Sequence, residues 1–208
     1  MTTTLILASS SPRRRELLTS LGLEFTIVKP DVDESQRPDE APLDYVRRLS
    51  QEKAANVAAR VSSPAAVLAA DTVVILAADT LGVDEAGEIL GKPVDPDDAR
   101  QMLRRLRGRV HQVYTAITLR VQQAETSPQQ ITSLARTDVY MRHYSDAEIE
   151  AYIETGDPFD KAGSYAIQHK DFHPVERIEG SYTNVVGLPL EILQAMLAEI
   201  GWPHNRLR

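Results

Sequence analysis

The chain has 208 residues, a formal net charge of −7, and is 42% hydrophobic and 25% charged. These are the proportions of a globular protein long enough for one domain, or for one domain with two lobes. The acidic balance excludes the broad basic face of a nucleic-acid binder. The absence of cysteine excludes disulfides and thiolate metal sites, and is compatible with a reducing compartment.

The elements follow in chain order. Residues 5–8 read as a short buried strand, and 12–21 as a helix ending at Gly22, with Ser11 as its N-cap and Pro12 at the first helical position. Residues 24–29 are a second strand, 42–60 an amphipathic helix and 66–76 a buried strand. Asp84–Gly87 is a turn signal joining two strands. Asp95–Arg107 is a helix with acids at its start and arginines at its end, as the helix dipole favours. Residues 110–121 and 132–142 alternate as strands. The polar segment Gln122–Gln130 between them reads as a mobile loop. Helices at 146–155 and 189–200 complete the chain. Interleaved strands and helices predict an α/β fold with a mixed sheet.

The start, Met-Thr-Thr-Thr, lacks a basic leader segment, and Leu5–Ala8 is too short for a signal core. The longest apolar run, Ala65–Ala78, is interrupted by Asp71. No membrane span is expected, and a cytoplasmic location is.

Several residues break local rules. Arg13, Arg14 and Arg15 stand in the first turn of a helix, where positive charge is disfavoured by a few tenths of a kcal/mol or more. Beside free backbone N–H groups and the hydroxyls of Ser9, Ser10 and Ser11, they make an anion site suited to a polyphosphate. Lys53 shares a helical stripe with Val46, Leu49 and Val57, so it must either reach water at the helix border or meet an anion. Asp71 interrupts an apolar strand. It needs a metal, a cation or hydrogen bonds, or else sits at a strand end capped by amides.

Asp79, beside the turn, reads as structural. Asp31, Asp33 and Glu34 cluster on a loop; Glu34 paired with Asp71 would form a hard oxygen site for Mg²⁺ or Mn²⁺, and the alternative is a solvated acidic loop. Lys92 follows a turn. His111 opens an alternating strand and reads as a hydrogen-bonded packing residue. Gln168 ends a glycine-containing loop and could read a base edge. The Walker A pattern occurs nowhere, and neither a cysteine nor a serine-triad pattern offers a nucleophile. Phosphoryl chemistry here would use a metal and an activated water.

The motifs resemble those of the Maf family of nucleoside triphosphate pyrophosphatases. The matching pieces are Ala8-Ser9-Ser10-Ser11-Pro12-Arg13-Arg14, Asp33-Glu34, Glu52-Lys53-Ala54, Ala70-Asp71-Thr72-Val73-Val74, Gly91-Lys92-Pro93, His111-Gln112-Val113, Asp160-Lys161-Ala162-Gly163 with Ser164-Tyr165-Ala166-Ile167-Gln168, and Val185-Val186-Gly187-Leu188-Pro189. They run in family order from residue 5 to residue 200.

The resemblance implies a single Maf-like domain over residues 1–208. Its fold would be two-lobed and ITPase-like, with an elongated mixed β-sheet, flanking helices and a central cleft. It implies hydrolysis of a nucleoside triphosphate to the monophosphate and pyrophosphate, a divalent cation (Mg²⁺, Mn²⁺ or Co²⁺) and a homodimer. Asp71 matches the family's proton acceptor. Arg13, Thr72 and Gln168 match positions tied to base selectivity. Ser9, Arg14, Lys53, Lys92 and Lys161 match phosphate-binding positions, and Glu34 with Asp71 the metal seat.

Arg13 and Thr72, with the retained Lys-Ala-Gly…Ile-Gln loop, resemble the dTTP/UTP subgroup rather than the one acting on 7-methyl-GTP. CTP or modified pyrimidine nucleotides would be further substrates of that subgroup. The hairpin 77–88 is longer than in close relatives and is expected to extend away from the cleft. The alternatives are a pyrophosphatase for 7-methyl-GTP or non-canonical purine nucleotides, and a nucleotide-sensing regulator of cell division.

Overall fold

The computed structural model describes residues 3–76, 88–123 and 126–202. In chain order it holds β1 (Thr4–Leu7), α1 (Pro12–Ser20), β2 (Thr26–Ile27), α2 (Pro42–Ala58), β3 (Ala65–Leu76), β4 (Glu88–Leu90), α3 (Pro96–Leu106), β5 (Val110–Gln123) and β6 (Thr126–Met141). Next come α4 (Asp146–Glu154), two 3-10 turns (Asp157–Asp160 and Ala162–Ser164), β7 (Val175–Glu179), α5 (Tyr182–Val186) and α6 (Leu190–Glu199).

The strands form one mixed sheet in the order β2-β1-β3-β5-β6-β7, with β4 also on β3. β1 runs parallel to β2 and β3, whereas β4 lies antiparallel to β3 and β7 antiparallel to β6. The mixed α/β architecture is therefore the one the interleaved pattern predicts. The chain divides into two compact units, one of Met1–Asp71, Thr115–Ala135 and Gly187–Arg208, the other of Thr72–Tyr114 and Arg136–Val186.

In the first unit β1 and the start of β3 are apolar without alternation because both faces of the sheet are covered. Successive side chains point to opposite faces. Leu5, Leu7, Ala66, Leu68 and Ala70 enter a core with Leu18 of α1 and Leu193, Met196 and Leu197 of α6. Ile6, Ala8, Ala65, Val67 and Ala69 enter another with Ala54, Val57 and Ala58 of α2. The second unit has its own core, in which Leu103 and Leu106 of α3 meet Ile149, Tyr152 and Ile153 of α4. α4 starts with a capping box: Ser145 and Glu148 satisfy each other's backbone N–H groups.

Two segments differ from the sequence pattern, and two elements are additional to it. The expected strand at 24–29 is only Thr26–Ile27, an edge strand whose Ile27 is exposed, so side-chain burial fixes little of it. The segment 122–130 is not a loop. β5 continues to Gln123 and β6 begins at Thr126, so most of it is paired strand. Residues 127–130 are exposed, and strand backbones pair without apolar side chains. β7 and α5 carry no clear periodicity and were not expected. The Asp84–Gly87 turn, Asp79 and most of the hairpin 77–88 lie outside the described residues, although β3 and β4 on either side are antiparallel partners.

Candidate active site

In the first unit, the junction of β1 and α1 is built as the serine run suggests. The Ser11 hydroxyl accepts the Arg14 N–H (3.4 Å), and the buried Ser9 hydroxyl accepts the Ser11 N–H (3.2 Å). The Arg14 side chain is aimed by its Nε, which donates to the Gly187 carbonyl (2.9 Å) just before α6. Burial and the neighbouring Arg13 work against the Arg14 charge, while Asp71 and Glu34 support it. The positive first turn is thus held against local preference by carboxylates brought in from elsewhere.

α2 presents Lys53 from its buried stripe, with Val46, Leu49 and Val57 each at most 1% exposed. Lys53 is itself only 5% exposed, which decides between its two sequence readings. Its ammonium donates to Asp71 Oδ1 at 2.6 Å and pairs with Glu34 Oε1 at 2.9 Å. The lysine therefore meets anions instead of water. Asp71, on β3, is 7% exposed. Burial pushes its carboxyl above the ordinary aspartate range, opposed by Lys53 and Arg14 and reinforced by Glu34.

Two tethers hold the loop that carries Glu34, and sequence reasoning missed both. Tyr45 Oη donates to the Glu34 carbonyl (2.8 Å). Arg48 forks onto Glu40 (2.5 and 2.7 Å), reaches Glu52 (3.0 Å) and donates to the Ser35 carbonyl (3.0 Å). Only the Arg48–Glu52 spacing of four was visible in the sequence. The Arg48 fork holds the Glu40 carboxyl down at about 2.

Asp31 is tied by its backbone to the Asn56 side chain of α2 (3.0 and 2.8 Å), and Asp33 turns inward on its own loop. Asp33 Oδ1 accepts the Ser35 N–H (2.9 Å), which lowers its carboxyl. Among the described residues, no group of three or more His, Cys, Asp or Glu could enclose a metal ion. Glu34 and Asp71 share one ammonium, so their oxygens already converge on a single cation. Two carboxylates suit Mg²⁺-type ions, which keep several waters and take further oxygens from substrate phosphates.

The second unit holds the remaining candidates. Thr72 opens it as the residue after Asp71. Lys92 is exposed beyond β4. The preceding Gly91 carbonyl accepts the Gly163 N–H (3.0 Å), so Lys92 lies beside the Lys161–Gln168 segment. Gly163 has φ +73°, and a Cβ there would meet the Val74 side chain at 3.2 Å, so the position requires glycine.

Lys161 is buried and spends its ammonium within its own loop, on the Asp157 carbonyl (2.6 Å), Asp157 Oδ1 (2.8 Å) and Asp160 Oδ1 (2.6 Å). Gln168 is exposed in a turn closed by the His169 N–H on the Ala166 carbonyl (3.3 Å). His111 is the packing residue expected: 1% exposed, its Nε2 2.7 Å from Tyr165 Oη, its basicity pushed down to about 3 by burial.

The sequence pattern of the family described as Maf-like protein matches residues 4–200, and the chain belongs to that family. A dTTP/UTP pyrophosphatase of Chromobacterium violaceum is 47% identical over 200 residues, covering 96% of each chain. The dTTP/UTP pyrophosphatase of Anaeromyxobacter dehalogenans is 47% identical over 199 residues, covering 96% of this chain and 95% of its own. That of Geotalea uraniireducens is 48% identical over 193 residues, covering 92% and 93%. Among the described residues, no helix is long and apolar enough to cross a membrane.

Proposed function

We propose that this chain hydrolyses dTTP and UTP to the monophosphate and pyrophosphate with the help of a divalent cation. The observation that carries the reading is the buried Lys53 ammonium bridging Asp71 and Glu34 beside the Arg14 turn, in a chain close to half identical to enzymes named for that activity. One carboxylate, a lysine and an arginine gather around an acid whose proton affinity burial raises, the pattern of a group suited to proton transfer.

Glu34 and Asp71 would hold the cation, which when bound polarises phosphate oxygens. The Ser9–Arg14 turn at the start of α1 and the Arg14 guanidinium receive phosphate charge. Asp71 takes a proton from water as the water oxygen bonds to the α-phosphorus. The bond from that phosphorus to the bridging oxygen breaks, and pyrophosphate leaves with the electron pair. Lys53 keeps the Asp71 carboxylate aimed and offsets the triphosphate charge. Base preference falls to Arg13, Thr72 and Gln168; Lys92 adds positive charge, and Lys161, paired with Asp157 and Asp160, orders the loop that leads to Gln168.

A pyrophosphate-release assay across dTTP, UTP, CTP, 7-methyl-GTP and ITP, with Mg²⁺, Mn²⁺ or Co²⁺ and with chelator, tests the reading. Fastest turnover of dTTP and UTP, abolished by chelator, is expected. Faster turnover of 7-methyl-GTP or ITP, or nucleotide binding without pyrophosphate release, would overturn it. Asp71→Asn should lower kcat by roughly 10²–10⁴ and leave nucleotide affinity largely intact.

A further inference from the structure

A glutamine amide carries a donor and an acceptor on one rotor. It can tell the O4 acceptor and N3–H donor of thymine or uracil from the reversed edge of cytosine only if its position is fixed from outside. Gln168 is exposed, so no packing of its own supplies that constraint. The constraint is in the backbone around it, and it converges on one residue.

Tyr152 of α4 is 2% exposed. Its hydroxyl donates to Asp157 Oδ2 (2.7 Å) and accepts the Ala166 N–H (3.1 Å). Its ring meets the edge of His169 (centroids 4.8 Å apart, 74° between planes) and stacks on Phe172 (4.4 Å, 21°). His169 Nδ1 in turn accepts the N–H groups of Asp171 (3.2 Å) and Phe172 (2.9 Å). Asp157 is itself held by Lys161 through Oδ1 (2.8 Å). Tyr152 therefore grips the turn on both sides of Gln168, at Ala166 before it and at His169 and Phe172 after it.

We propose that Tyr152 is the positioning residue for base selection, fixing the Ala166–Phe172 turn so that the Gln168 amide meets the base in one orientation. This rests on the reading of Gln168 as a base-contacting group. Tyr152→Phe removes the hydroxyl and keeps the ring contacts.

The test is a double-mutant cycle on the full chain: wild type, Tyr152→Phe, Gln168→Ala and the double variant, with kcat and KM measured for dTTP and dCTP. Gln168→Ala should lower the dTTP-to-dCTP ratio of kcat/KM about ten-fold, the effect of one lost hydrogen bond. Tyr152→Phe should lower the same ratio several-fold through the KM for dTTP. In the Gln168→Ala background the hydroxyl should change the ratio no further, because two residues acting through one contact are not additive.

Independent, additive effects would overturn the proposal, since a general loosening of the fold does not depend on Gln168. So would an unchanged ratio in Tyr152→Phe beside a lowered one in Gln168→Ala. An unchanged ratio in Gln168→Ala removes the base-reading assignment itself, and the proposal with it. Should Tyr152→Phe fail to fold, Asp157→Asn, which weakens the hold on the hydroxyl, should shift the ratio the same way in the wild type and not in Gln168→Ala; an equal shift in both would overturn the proposal.

Discussion

Two buried lysines show how differently the two units use the same side chain. Lys53 and Lys161 are 5% and 7% exposed, and each is paired with two carboxylates. Lys53 draws its partners from a distant loop and a distant strand, Glu34 and Asp71. Lys161 draws its own from residues 157 and 160, a step or a turn away. The first arrangement exists only when three separate segments have come together. The second closes a single loop.

The acids respond in opposite senses. Asp71 is raised because burial outweighs its cations. Asp157 also feels burial, but the Lys161 and Tyr152 hydrogen bonds outweigh it and hold the carboxyl low. A raised acid beside a lysine is poised to take a proton, whereas a lowered one is a fixed anchor.

The largest effect that would sharpen this contrast is expected from Lys53→Met. It leaves Asp71 buried without its nearest cation and should cost about 3–5 kcal/mol, together with activity, read by denaturant melts and pyrophosphate release. Lys161→Met should cost less, about 1–2 kcal/mol, because Asp157 and Asp160 can turn to water; their side chains are 31% and 61% exposed. Equal losses at the two sites would break the comparison.

The smallest effect is in pH dependence. With the cation removed by chelator, the Asp71 carboxyl should titrate above the ordinary aspartate value of about 3.9, because burial outweighs Lys53 and Arg14; an NMR titration reads it. A raised acid stabilises the fold at low pH, and that contribution is lost as pH rises through its folded pKa. Asp157 is the reverse: its stabilisation is present above about pH 3.9 and lost as pH falls through its lowered folded pKa. Melting temperature against pH should therefore flatten on the acid side in Asp157→Asn and not in Asp71→Asn. A metal-free titration of Asp71 at or below the ordinary value would contradict the balance of burial over its cations.

What the sequence made legible follows the same division. Lys53 and Asp71 were visible because each is a charge in an apolar pattern, and burial makes such an exception expensive. Glu34 and Asp71 were expected as a pair, but that Lys53 bridges them was not visible, since nothing local relates residue 53 to either. Tyr152 sat inside a correctly expected helix, yet its hydroxyl partners arrive through two 3-10 turns and a loop without periodicity. Gln122–Gln130 misled in the other direction: its composition signals solvent, and residues 127–130 are exposed strand, so polarity described the exposure and not the backbone.

β3 carries Asp71 and Thr72 as consecutive residues of one extended, heavily covered segment. Alternation sends their side chains to opposite faces of the sheet. The group assigned to proton transfer and the group assigned to choosing the nucleotide thus share a peptide bond without sharing a neighbourhood. If Thr72 selects the base as proposed, exchanging it should retune which nucleotide is accepted while the adjoining acid keeps its surroundings. Sliding the strand by a single residue would swap the two and lose both properties together.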